Sequence, residues 1–182
     1  MTGPRIVVLD SCVLIPMPLA DMLLRIAAGP RLYIPKWSDQ IMEEVGRTLH
    51  EDFGLSEEKV RHREREIRRH FHEAWINGYQ HLIPSMTNHP KDRHVLAAAA
   101  HAHVGTIVTY NTTDFPPLSL APYSIRALGP STSLKNLYAT SPTEIMEVLE
   151  AQAAAIGETL RYVLSRLRVN VPGFVAAVEK TT

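Results

Sequence analysis

"RIVVLD", Arg5 to Asp10, decides the fold. A short, continuous run of branched apolar residues marks a strand buried on both faces of a parallel sheet, where helices cover each side. The run closes on a carboxylate. Burying an unpaired charge is costly, so Asp10 needs a partner at the end of its strand. In open α/β sheets, ligands bind beyond the carboxyl ends of the strands, which is where Asp10 stands.

Outward from this run, strands and helices alternate. In "SCVLIPMPLADMLLRIAAG" the prolines break the first half, and Asp21 is expected to begin a helix that ends near Ala28, before Gly29-Pro30. "LYIP", Leu32 to Pro35, reads as a second strand. Ser38 reads as the N-cap of a helix through Leu49, with Ile41, Val45 and Leu49 on one face. From Ser56 a long charged helix is expected, with Val60, Ile67, Phe71 and Trp75 as its apolar stripe and Gly78 at its end. "HLIP" reads as a strand or an extended link. "KDRHVLAAAA" opens a helix to about His103, with Gly105 as its C′ residue. "TIVTY", Thr106 to Tyr110, is another buried strand, and "YSIRAL" a last one, with "NTTDFPPLSLAP" as a loop between them.

"GPSTSLKNLYAT" reads as a loop. "SPTE", Ser141 to Glu144, has the form of a capping box with proline at N1, opening one helix through "TEIMEVLEAQAAAIGETLRYVLSRLR". Pro172 interrupts, and "GFVAAVEK" forms a short terminal helix. The alternation predicts an α/β fold with a mostly parallel central sheet. The expected division is a domain over residues 1–130 and a helical extension, 131–182, packed on it.

Composition narrows the function. The chain has 182 residues, 45% hydrophobic and 21% charged, as in a folded globular protein. Its formal net charge is +0, so any site for a polyanion must be local. A single cysteine, Cys12, excludes a disulfide framework and a cysteine-rich zinc site, and fits a reducing cytoplasm. Asp10 and Pro16 break the first apolar segment, so no signal peptide is expected. No apolar run approaches the ~20 residues that span a bilayer. A cytoplasmic protein with no membrane partner is the expectation.

Further acids stand near the strand ends. Asp114 follows "TIVTY" by four residues, and Asp92 is placed in the first turn of the helix that leads into that strand. Glu43 and Glu44 lie on the helix after the second strand, Glu44 on the flank of its apolar face and Glu43 further toward solvent. Each also reads otherwise: Asp92 as a charge at the positive end of its helix, Asp114 as a turn residue, the glutamates as a solvated face. Several acids on one rim would repel and raise one another's pKa, and a divalent cation removes that conflict. Oxygen ligands without cysteine suit Mg²⁺ or Mn²⁺, ions that commonly work on phosphates, so phosphodiester hydrolysis is the chemistry suggested.

In this order and spacing, "VVLDSCVLIP", "WSDQIMEEV", "PKDRHVLAAA" and "IVTYNTTDFP" resemble the PIN-domain ribonucleases, closest to the group that includes VapC-type toxins of bacterial toxin–antitoxin pairs. The resemblance covers roughly residues 5 to 128. It implies a three-layer α/β/α fold and an Mg²⁺- or Mn²⁺-dependent endoribonuclease. By position, the catalytic and metal-binding acids would be Asp10, Glu44, Asp92 and Asp114. Ser11, Thr109 and Asn111 match positions that line the same site. RNA and a cognate antitoxin are the partners it implies. The chain departs from the family in "GPSTSLKNLYAT", a longer link than usual, and in a tail beyond what a minimal PIN domain requires.

A neutral protein needs local positive charge to hold RNA. Lys91 and Arg93 beside Asp92 are candidates, either as phosphate contacts or as charges that balance and orient Asp92; Lys36 is another. Arg61, Arg65, Arg68 and Arg69 alternate with glutamates and read first as a salt-bridged solvated face. His94 stands close enough to Asp92 in sequence to reach substrate, while His70/His72 and His101/His103 do not share helical faces. Cys12 reads as a small buried residue. The tail stripe Ile145, Val148, Leu149, Ala153, Ile156, Leu160, Val163 and Leu167 packs on the core by default, or else meets a second copy or an antitoxin helix. Competing functions are an RNA-processing nuclease outside a toxin–antitoxin pair and a catalytically silent binding domain. A haloacid-dehalogenase phosphatase would need a second acid two residues after Asp10, and a dinucleotide fold would need its glycine fingerprint.

Overall fold

The structure, a computed structural model, describes residues 5–181. Four strands form one sheet: β1 (Arg5–Leu9), β2 (Tyr33–Lys36), β3 (Thr106–Val108) and β4 (Arg126–Leu128). Their order is β2-β1-β3-β4 and every pairing is parallel. The chain leaves β1 for β2 on one side and returns to β3 on the other. The switch point therefore lies between β1 and β3, where an open α/β sheet leaves a crevice. Leu9 pairs with Val108, so the next residues, Asp10 and Thr109, emerge side by side. Asp10 N–H still bonds to Val108 O, at 3.1 Å.

Both faces of the sheet are covered, as the continuous apolar runs require. Val8 and Ile107, which share one face, are fully buried. Toward the other face point Val7, Leu9 and Val108, beneath a helix on each side of a cleft. Those helices are α2 (Met17–Ala28), which follows the single turn α1 (Ser11–Leu14), and α7 (Pro130–Thr140). The layered architecture is the three-layer α/β/α PIN-like arrangement.

Between them run α3 (Asp39–Glu51), α4 (Glu57–His70), α5 (Arg93–His101) and α6 (Pro117–Leu120). Ser38 caps α3 as expected, accepting the Ile41 N–H at 3.2 Å. Several boundaries differ from the sequence reading. Helix α2 begins at Met17, not Asp21, because Pro18 falls in the first turn, where its missing N–H costs nothing. Helix α4 stops at His70, and Trp75 belongs to an extended segment that pairs with Trp37 beyond β2. The two indoles meet edge to face at 5.4 Å, so the half-buried Trp75 packs against a strand neighbour and not along a helical stripe. "HLIP" falls within a 3₁₀ segment, Gln80–Ser85. After α5 the left-handed residue is His103, φ 52°, and not Gly105.

The region after β4 is more helical than expected. "GPSTSLKNLYAT" forms α7, with Pro130 in its first turn. Helices α8 (Pro142–Ala155), α9 (Leu160–Leu167) and α10 (Pro172–Glu179) follow. The expected single tail helix is broken at Gly157, φ 67°, and restarts under a cap from Thr159. Helices α8 and α9 pack on α2, and α10 on α7. Ile145, Leu149, Leu167 and Phe174 are fully buried there, whereas Ile156, placed on the stripe by periodicity, is 57% exposed. Among the described residues no helix is long and apolar enough to cross a membrane.

Candidate metal centre

The β1/β3 junction builds the first wall of the site. Asp10 is 2% exposed, and both of its carboxylate oxygens accept hydrogen bonds. Oδ1 accepts the Ser11 N–H at 2.7 Å, which caps α1. Oδ2 accepts the Thr109 hydroxyl at 2.7 Å and the Cys12 thiol at 3.4 Å. Burial, reinforced by the Asp10 charge, pushes the thiol up to about 12, so Cys12 remains a neutral donor. Cys12 is half-buried and also accepts the Tyr110 N–H at 3.3 Å. Thr109 accepts the Asn111 N–H at 3.0 Å, which fixes the turn leading toward Asp114.

Asp92 forms the second wall. It closes the 3₁₀ turn Pro90–Asp92 and stands at the N-cap position of α5, not in its first turn. Its side chain makes no capping bond, although a carboxylate there is well placed to make one. It is 3% exposed, and Oδ2 has no hydrogen-bond partner among the described residues. Burial pushes this carboxyl up to about 6, helped by the charge of Asp10 and by a hydrogen bond and charge from Asp114; Lys91 pulls the other way.

Asp114 ends a second 3₁₀ turn, Thr112–Asp114. The two turns are tied together, because His89 N–H bonds to Asp114 O at 3.1 Å. Ligand atoms of His89, Asp92 and Asp114 lie within 4.8 Å of one another. His89 was not among the residues singled out in the sequence. It reaches the cluster only because the Asn88-His89-Pro90 turn folds back on Asp114, a tertiary event with no local signal.

Glu44 comes from α3 and lies outside that three-residue cluster. It is partly buried, while Glu43 faces solvent. Its Oε1 is 2.9 Å from His94 Nε2. Burial alone would raise its pKa, but His94, a hydrogen bond from Ser11 and the charge of Arg47 together hold it below the ordinary value. Ser11 thus touches both Asp10 and Glu44 and joins the two acids. A polar cleft of about 370 Å³, lined by Glu43, Glu44, Arg47, Asn77 and Gln80 among others, opens on this side.

The basic candidates divide. Lys91 is exposed beside Asp92. Arg93 bends back, donating Nε to Asn88 O at 3.3 Å. Lys36 is engaged with Glu73 O. On α4, Arg61 pairs with Glu57, Arg68 with Asp39 and Glu64, and Arg69 with Glu66, a salt-bridged face as read from the sequence. His94 is 3% exposed and does not reach a substrate at the surface.

These residues fit a hard divalent cation. The Asp92 carboxyl, raised by burial first and then by two neighbouring acids, with one oxygen that has no hydrogen-bond partner among the described residues, suits a positive counter-charge. Oxygen donors with at most one imidazole suit Mg²⁺ or Mn²⁺.

No family model matches the chain, and no solved structure matches it. Over 61 residues it is 51% identical to a protein named "Putative ribonuclease VapC50" from Mycobacterium tuberculosis, a stretch covering 34% of this chain and 36% of that protein. The chain thus spans about a third of the curated relative's length. In its motifs, its α/β/α layering and this stretch, the chain resembles the VapC-type PIN-domain ribonucleases.

Proposed function

We propose that this protein is an Mg²⁺- or Mn²⁺-dependent endoribonuclease working at the carboxyl rim of its sheet. The observation that carries the proposal is Asp92: buried, making no capping bond, without a hydrogen-bond partner at Oδ2 among the described residues, and pressed by Asp10 and Asp114. Asp10, Asp92, Asp114 and Glu44 are the residues assigned to hold the cation. When bound, it supplies charge to the scissile phosphate and makes water a better nucleophile. The chain's own task is orientation. Thr109 and Ser11 fix the Asp10 carboxylate, and Asn111 shapes the turn to Asp114. Lys91, exposed at the mouth, offers a contact to a phosphate of the RNA, and Arg93 sets the loop that presents it.

Single-stranded or loop RNA is the proposed substrate, because its backbone is accessible to a rim site. The role proposed is that of a toxin held by a cognate antitoxin in the cytoplasm, supported by the likeness to the protein named "Putative ribonuclease VapC50". Residues 1–130 serve as the nuclease unit in this reading, and the helical remainder as its support or as a surface for an antitoxin or a second copy. An adjacent antitoxin gene separates this role from RNA processing. The test of the activity is cleavage of a defined single-stranded RNA with Mn²⁺, compared with EDTA. Cleavage that EDTA leaves unchanged would rule the site out.

A further inference from the structure

His94 lies on α5, two residues after Asp92, with its ring packed inside the protein at 3% exposure. Nε2 faces Glu44 Oε1 at 2.9 Å, and neither ring nitrogen makes a well-directed hydrogen bond among the described residues. Buried imidazoles in native proteins are normally satisfied on both sides. An apolar side chain would fill this volume with no ring nitrogen to satisfy. The polar ring therefore has a use beyond packing, and its one close polar neighbour says what that is. Helix α5 begins at the Asp92 turn, and α3 carries Glu44. The imidazole spans the gap between the two.

We propose that His94 is a positioning residue that holds the Glu44 carboxylate at the rim, so that α3 and α5 present their acids to the same cation. The inference rests on the metal reading above. It assigns His94 no contact with RNA and no proton transfer. The gain is preorganisation: a ligand whose rotamer is set by a buried neighbour binds metal more tightly than one that must be ordered on binding. Ser11 supports Glu44 from the Asp10 side, and His94 supports it from the Asp92 side.

The test is Mn²⁺ affinity of the purified full chain by titration calorimetry, with thermal melts in EDTA run in parallel. His94→Leu is expected to bind Mn²⁺ about 10- to 100-fold more weakly, with the melts in EDTA showing that it is folded. In a Glu44→Gln background the same change is expected to have no further effect on affinity, since the two residues act as one unit. His94→Gln, whose amide reaches Glu44, is expected to stay near wild type, while His94→Asn, which is too short, binds as weakly as His94→Leu. These two amides carry the test if His94→Leu does not fold. Equal Mn²⁺ affinity in wild type and His94→Leu, or in the two amides, would overturn the role of His94 and leave the metal site standing. No Mn²⁺ binding by the wild type would overturn both.

Discussion

The hydroxyl of Thr109 donates to Asp10 Oδ2 at 2.7 Å, across the junction of β1 and β3. It is the partner that a buried strand-end carboxylate requires, and Thr109 is itself fully buried. Thr109→Val keeps the shape and removes the donor. A lost hydrogen bond to a buried charge costs about 1.5–3 kcal/mol. Urea unfolding of the metal-free protein is expected to show that loss for Thr109→Val and little of it for Thr109→Ser. An unchanged midpoint in Thr109→Val would mean that Asp10 is held by other groups.

Asp92 is expected to weaken the metal-free fold at neutral pH. Its carboxyl is raised from an ordinary 3.8 to about 6, by burial first and then by Asp10 and Asp114. A carboxyl raised in the folded state contributes stability that is full below its unfolded pKa and is lost as pH rises through its folded pKa. Asp92→Asn should therefore be more stable than wild type above pH 6, by on the order of 1–2 kcal/mol, with the advantage vanishing toward pH 4. Thermal melts in EDTA across that range measure it. A variant less stable than wild type at pH 7.5 would contradict the crowding of charge inferred for this site.

Mn²⁺ is expected to raise the melting temperature of the wild type and not that of Asp92→Asn. A ligand that binds only the folded state at 100 times its Kd adds about 2.7 kcal/mol. Protons compete for the same carboxylate, so the shift should be larger at pH 7.5 than at pH 5. Differential scanning fluorimetry with and without Mn²⁺ reads both effects. Equal shifts in wild type and Asp92→Asn would place the cation elsewhere.

The tail stripe should divide by burial and not by periodicity. Leu149 is fully buried between α8 and its neighbours, and Leu149→Ala is expected to cost about 2–5 kcal/mol. Ile156, 57% exposed, should tolerate alanine within about 0.5 kcal/mol. Chemical denaturation of the two variants side by side checks this. Equal losses would show that Ile156 is covered in solution.

The strands were legible to within three residues, because a short apolar run has few other places to go. Asp10 was legible for a related reason: a charge that closes such a run must be answered. The tail was not. Ser141 makes no side-chain capping bond, and its own N–H closes α7 onto Leu137 O at 2.8 Å. It sits at ψ 59°, away from the extended conformation that a cap needs. "GPSTSLKNLYAT" misled through its proline, glycine and serines, which are turn formers except in the first turn of a helix. His89, and the pairing of His94 with Glu44 in place of a substrate contact, were beyond reach for another reason. Each histidine owes its place to a contact between distant segments, with Asp114 and with Glu44, that no local pattern announces.

Mn²⁺-dependent RNA cleavage tests the central claim most directly. Wild type, Asp10→Asn and Asp92→Asn are each incubated with a defined single-stranded RNA, with Mn²⁺ or with EDTA. Cleavage is expected from the wild type with Mn²⁺ and not in EDTA, with rates lower by on the order of 100-fold or more in both variants. Cleavage that persists in EDTA, or that survives loss of both carboxylates at the wild-type rate, would contradict that claim.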